Sequence, residues 1–265
     1  MRLYILLCFT LIHYNVHSQN SYGIVEYGHK QSMGLGAPIG VDYNATLIFN
    51  KNNSKYTFAK DSLEGRHIRE SVIIKKDKKN VFVKPKNTTV EGFEYFIDQN
   101  NKLLFSRDLG FRYVKEDIPK IEWQILNEKK NIGNFKCIKA TGFFRGRKYT
   151  AWFTTSIPLS YGPWKLQGLP GLILEAYDKD KEVYFYFKSI KYPFYNKTLS
   201  LTKPNPKKES KEWISFSEYK SELYSTYLKN IENGRMMVEQ YDAVETTENK
   251  MPMKNFYIEI FDEEK

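Results

Sequence analysis

"KYTAWFTTSIPLSYGPWKLQGLPGLILEAYD", residues 148 to 178, is the stretch whose reading decides the fold. At its ends stand two short runs rich in aromatic and aliphatic residues, Lys148 to Thr154 and Leu172 to Tyr177. Between them Pro158, Pro163 and Pro170 each remove a backbone donor, and Gly162, Gly168 and Gly171 supply freedom to turn. That pattern predicts two strands of an antiparallel sheet joined through a rigid corner. Pro170 pre-sets a turn in which Gly171 takes a positive φ, and Leu172-Ile173-Leu174 then enters the sheet as an interior strand. Trp152 and Trp164, close in sequence across a turning segment, are expected to pack over the corner. From Gly162 to Ile173 there is no acid, histidine, cysteine or hydroxyl; the polar side chains are Lys165, Gln167 and the Trp164 indole. The segment therefore reads as one that fixes strand direction and register rather than one that performs chemistry.

Outward from this corner the same texture recurs. Strands are expected at Tyr22 to Tyr27, Thr46 to Phe49, Lys55 to Ala59, Ser71 to Lys75, Val81 to Val83 and Glu94 to Ile97. They continue at Lys102 to Ser106, Ile121 to Leu126, Phe135 to Phe144 and Val183 to Ile190. Turn clusters such as Asn50 to Asn53, Asp98 to Asn101 and Arg145-Gly146-Arg147 separate them. One helix is marked, over about residues 216 to 232. Ser215 and Glu218 form a capping box, Phe216, Tyr219, Leu223, Tyr227 and Ile231 share a face, and Gly234 follows as a stop. Residues 203 to 211 read as a polar connector, Glu245 to Lys250 as a second mobile segment, and Asn255 to Phe261 as a terminal strand. The expected class is mainly β (α+β): a curved antiparallel sheet or half-barrel of hairpins, with the helix on its concave side. The 20 Tyr, 18 Phe and 4 Trp supply its bulk.

The first 18 residues pair Arg2 with a short apolar run from Leu3 to Ile12 and end His17-Ser18, the layout of an export signal. Cys8 lies within the apolar run, so no lipoprotein anchor is expected. Residues 19 to 265 then form a single domain, placed in the periplasm, at the outer membrane or outside the cell. After residue 18 no stretch is long and apolar enough for a membrane-spanning helix, so an integral membrane protein is not expected. Once the leader is gone the chain keeps Cys137, His29 and His67, too few for a disulfide or a Cys/His metal site, and no cofactor or metal is expected. The formal charge of +10 is spread over lysine-rich turns, which suits solvated hairpin tips or an anionic headgroup better than nucleic acid.

Few residues suggest chemistry. Gly34-Leu35-Gly36-Ala37-Pro38-Ile39-Gly40 is not followed by a helix or by Lys-Ser/Thr, so it reads as a mobile loop and not a phosphate cradle. Cys137 alternates with Phe135 and reads as buried and inert. Glu175 and Asp178 are the best-placed carboxylate pair, with Glu175 expected at the solvent. With the Gly34 to Gly40 loop as the other candidate site, they are the basis of a third reading, as a hydrolase. No catalytic residue is assigned.

Several elements in fixed order resemble the GLPGLI family of exported Bacteroidetes proteins. They are Trp123, Ile132 to Ala140, Phe144-Arg145-Gly146-Arg147, Ala151-Trp152-Phe153-Thr154, Ile157-Pro158, Gly162-Pro163-Trp164-Lys165 and Gly168-Leu169-Pro170-Gly171-Leu172-Ile173. The signature region spans residues 121 to 178. The resemblance implies export, a mostly β body, cell-envelope work and no established reaction. The leading expectation is a non-catalytic binding or carrier protein for a hydrophobic ligand. The alternative is an assembly or accessory partner of an outer-membrane receptor or barrel.

Overall fold

The computed structural model describes residues 21–32, 40–65, 72–77, 80–84, 87–195, 201–240 and 252–261. The export signal, the loop from Gly34 to Ile39, His67 and the segment from Glu245 to Lys250 lie outside them. The strands are β1 (Ser21–Gln31), β2 (Val41–Phe49), β3 (Asn53–Phe58), β4 (Val72–Asp77), β5 (Asn80–Lys84), β6 (Phe93–Asp98), β7 (Leu103–Asp108) and β8 (Arg112–Asp117). They continue with β9 (Trp123–Ile132), β10 (Phe135–Phe144), β11 (Arg147–Thr154), β12 (Leu172–Asp178), β13 (Val183–Tyr195) and β14 (Trp213–Ser215), and one helix follows, α1 (Phe216–Gln240). Twelve strands form one open sheet in the order β14-β8-β7-β6-β3-β2-β1-β13-β12-β11-β10-β9, while β4 and β5 pair separately. Every pairing in the large sheet is antiparallel except β14 with β8. The fold is mainly β, as the hairpin texture predicts.

Chain connectivity forces this sheet to curl. β8 and β9 lie ten places apart in the strand order, about 48 Å if the sheet were flat. Yet only Ile118 to Glu122 joins them, and five linking residues reach about 20 Å at most. The two ends of the sheet must therefore approach each other. Trp164 reports the same curvature, since its ring centroid lies 6.4 Å from that of Tyr95 on β6 and 5.6 Å from that of Phe144 on β10. Those strands would stand about 34 Å apart in a flat sheet. The concave side is filled by Tyr27, Leu47, Tyr56, Tyr95, Leu104, Tyr149, Phe185 and the corner segment, which together form one continuous core.

The helix begins where its capping box predicts. The Ser215 backbone N–H donates to Glu218 Oε2 at 2.8 Å, and the Glu218 N–H donates to Ser215 Oγ at 3.2 Å. Tyr219 and Leu223 bury against Val114, Met253 and Phe261, at the β8 end of the concave side. The helix does not stop at Gly234 but runs on to Gln240, because an exposed helical glycine weakens a helix without breaking it. The expected terminal strand is also corrected. Met253–Asn255 is a single 3₁₀ turn, and the residues after it are irregular, with Ile258, Glu259 and Phe261 buried. The connector is structured too: Asn205 caps the 3₁₀ turn Pro206–Glu209 and Pro206 is buried.

Candidate functional site

The corner between β11 and β12 is a plug inside the curled sheet. Trp164, Leu166 and Leu169 are buried, Pro163 with them, while Pro158 and Pro170 face solvent. Gly162 is buried against Ile173 and the Leu166 carbonyl. Leu172 N–H donates to the Ile157 carbonyl and Ile173 N–H to the Tyr161 carbonyl, so the loop hydrogen-bonds to the start of its own outgoing strand. The glycine roles differ from the sequence expectation. Gly171 does not take a positive φ; Gly168 does, at 94°, and so does Trp164, at 57°. Gly171 is required by proximity, because a Cβ there would stand 2.2 Å from the Thr154 carbonyl oxygen.

The tryptophans part company. Trp164 packs among Tyr95, Phe144, Tyr149 and Phe185. Trp152 instead lies under the Lys130 ammonium, 4.5 Å from its ring centre, and does not meet Trp164. Trp123 closes the opposite end of the corner, its indole N–H donating to the Gln167 carbonyl at 2.8 Å. The Gln167 side chain in turn donates to the Pro119 carbonyl, so the plug holds the short link that draws the sheet ends together.

Lys165 is the charged side chain of the plug. Lys165 is fully buried, with Glu259 at 2.7 Å and both Asp108 and Glu116 at 3.2 Å. Arg145 pairs with Glu116 and reaches Glu259 at 3.5 Å. Burial alone pulls the lysine down, but the carboxylates of Glu259, Glu116 and Asp108 more than reverse it, and Lys165 stays charged. Three carboxylates face two cations. Burial raises Glu259 to about 7 against the pull of Lys165 and Arg145, and its Oε2 has no hydrogen-bond partner among the described residues.

Glu259 comes from the C-terminal segment, and the Arg145-Gly146-Arg147 turn holds it there. Arg147 donates to the carbonyls of Lys254, Tyr257 and Ile258 and pairs with Asp178 at 2.6 Å, and the Ile260 N–H donates to the Arg145 carbonyl. Asp178 is thereby committed to Arg147. Glu175 is partly buried, not solvent-exposed, and pairs with Lys130 at 2.8 Å. The two acids do not share a site.

A cavity of about 230 Å³ adjoins this cluster. Tyr43, Phe58, Phe93 and Tyr95 wall it, and Asp108 and Glu259 supply its charge; Tyr219 contributes from α1, and the exposed Asn87 and Phe256 stand at its rim. Among the described residues no lysine or arginine lines it. Asp108 Oδ1 already accepts from the Tyr95 hydroxyl and from Leu109 N–H. Behind Phe58 sits His29, fully buried with ring centroids 3.9 Å apart, accepting from Gln31 Nε2 through its Nε2. That acceptance requires the Nδ1–H tautomer, which meets the Tyr56 hydroxyl at 3.2 Å. Burial lowers His29 to about 3 and keeps it neutral. Cys137 is buried, and burial pushes its thiol up to about 11. The cavity was illegible in the sequence because its acids come from β7 and from beyond the helix. The one local signal is Glu259 standing alone among apolar neighbours in Phe256-Tyr257-Ile258-Glu259-Ile260-Phe261.

Residues 145–175 match the model of a family described as "Protein of unknown function (Porph_ging)", the GLPGLI-type family. No curated protein matches the chain. Two solved structures are similar to it, "Structure of PNGF-II in P21 space group" at 15% identity and "Structure of PNGF-II in C2 space group" at 13%. Each has a TM-score of 0.46 and covers 76% of this chain, which spans 32% of the length of those structures.

Proposed function

We propose that this chain, which carries the GLPGLI-type signature over residues 145–175, is a non-catalytic binding protein of the cell envelope. Its ligand is a small amphiphile with an aromatic or aliphatic body and a cationic head. The observation that carries this reading is the lining of the 230 Å³ cavity: aromatic walls, two carboxylates and, among the described residues, no cation. A protonated amine gains from both, through the faces of the rings and through the carboxylates that outnumber Lys165 and Arg145. The volume lies below the roughly 300 Å³ at which pockets for drug-sized ligands begin, which sets the size of the ligand. Among the described residues the lining contains no serine, cysteine, histidine or lysine, which favours holding over turnover. The export-signal layout of residues 1 to 18 in the sequence supports placing this work outside the cytoplasm.

The test titrates the protein with phenethylamine and with 2-phenylethanol, its uncharged counterpart, at about pH 8, by calorimetry. The amine is expected to bind at least about tenfold more tightly, and Glu259→Gln to remove most of that preference. Amine affinity should also weaken as pH falls below 7 and Glu259 takes up its proton. Equal binding of the alcohol, or no binding of the amine, overturns the reading.

A further inference from the structure

On the other face of the sheet lies a second concavity that the interior site does not use. Strand alternation puts Tyr95, Ser106 and Val114 on the concave side, paired across β6, β7 and β8. Their neighbours Glu94, Arg107 and Tyr113 therefore point outward. The segment from Thr202 to Trp213 folds over these outward residues and makes the wall of a groove of about 800 Å³. It is held there by Arg107, which pairs with Glu209 at 2.6 Å and donates to the Gly92 carbonyl, and by the buried Pro206.

The groove is strongly basic. Seven of its lining residues are lysine or arginine against three glutamates. Pairing consumes Lys55 with Glu94, and Arg107 and Lys211 with Glu209. Lys60, Lys203, Lys207 and Lys208 make no ion pair among the described residues, and they outnumber the unpaired Glu91 and Glu212. A concave surface of one sign concentrates the field of its charges. Trp213 lies partly exposed in the floor, edge-on to Phe105 and Tyr113, with the Lys203 ammonium 4.5 Å over the Phe105 ring.

We infer that this groove binds an acidic oligosaccharide, a chain of sugar rings carrying carboxylates. A pyranose presents a C–H face that packs on an indole, hydroxyls that meet Asn205 and Thr202, and carboxylates that meet the free ammonium groups. A peptide fits less well, because the floor is a sheet face of side chains and offers no ladder of backbone partners for an extended chain. A bilayer fits less well still, because the charges line a recess and a headgroup plane is flat.

The experiment measures binding of tetragalacturonate to the full chain, with three comparison arms: neutral maltotetraose, octaglutamate peptide and phosphatidylglycerol vesicles. Tetragalacturonate should bind, weaken several-fold in about 0.5 M salt, and lose about tenfold or more when Lys60, Lys207 and Lys208 are all changed to Gln. Trp213→Ala should weaken the sugar acid and leave octaglutamate unaffected. Failure of tetragalacturonate to bind, or equal binding of maltotetraose, overturns the proposal. So does tighter binding of octaglutamate or of the vesicles, which would assign the groove to an acidic polypeptide or to lipid. Phenethylamine binding in the triple variant tests the interior pocket separately, so either site can fail alone.

Discussion

Lys165 shows how far one residue can be read from its neighbours in sequence. It is visible in the sequence as one of two polar side chains in an apolar corner, but nothing nearby announces its partners. Asp108, Glu116 and Glu259 arrive from 57, 49 and 94 positions away, and Asp and Glu are too common for spacing to single them out. Their pairing is a product of the curl of the sheet. Lys165→Met should cost about 3–5 kcal/mol in urea unfolding, since it leaves three buried carboxylates facing Arg145 alone. A loss under about 1 kcal/mol would mean that water already reaches the cluster. Gly171 teaches the complementary lesson. Its neighbour Pro170 suggests a turn glycine chosen for φ, whereas the constraint is the Thr154 carbonyl pressed against its Cα, a contact made across the loop.

At the level of elements, strands with alternating or aromatic-rich sequences were legible and those without were not. β8, Arg112–Asp117, reads Arg-Tyr-Val-Lys-Glu-Asp, four charges in six residues, and it becomes a strand because β7 offers it a ladder and Glu116 a buried partner. β14 has three residues and exists by pairing with β8. The helix start was legible because a capping box is local chemistry. Its end was not, because a glycine in a solvent-exposed turn costs only about 1 kcal/mol. Two substitutions separate these effects. Ser215→Ala removes the reciprocal cap and should destabilise by about 1 kcal/mol, while Gly234→Ala, with nothing within 4 Å of the added methyl, should stabilise by about the same amount. Chemical denaturation reads both, and a destabilising Gly234→Ala would show that the helix does end there in solution.

Across the whole molecule, two buried titratable groups pull stability in opposite directions with pH. Glu259 keeps a proton in the folded chain up to about 7, whereas the unfolded chain releases it near 4.5. Its contribution is full below 4.5 and is lost as pH rises through 7. His29, lowered by burial to about 3, does the reverse: its contribution is full above 6.5 and is lost as pH falls toward 3. Glu259→Gln removes the first effect and leaves the second. The variant's stability relative to the parent should therefore climb by roughly 3 kcal/mol between about pH 4.5 and 7 in urea unfolding. Parallel profiles would show that Glu259 ionises freely. The strand order carries a further consequence, in time. β1 lies in the middle of the sheet, flanked by β2 and by β13, whose first residue stands 162 positions after Ser21. A ribosome adding about 5–20 residues per second takes on the order of ten seconds or more to cover that distance. Throughout that interval β1 holds half of its hydrogen-bonding groups open. The central ladder can close only once the chain has been made through β13, so the middle of this sheet is built to close late.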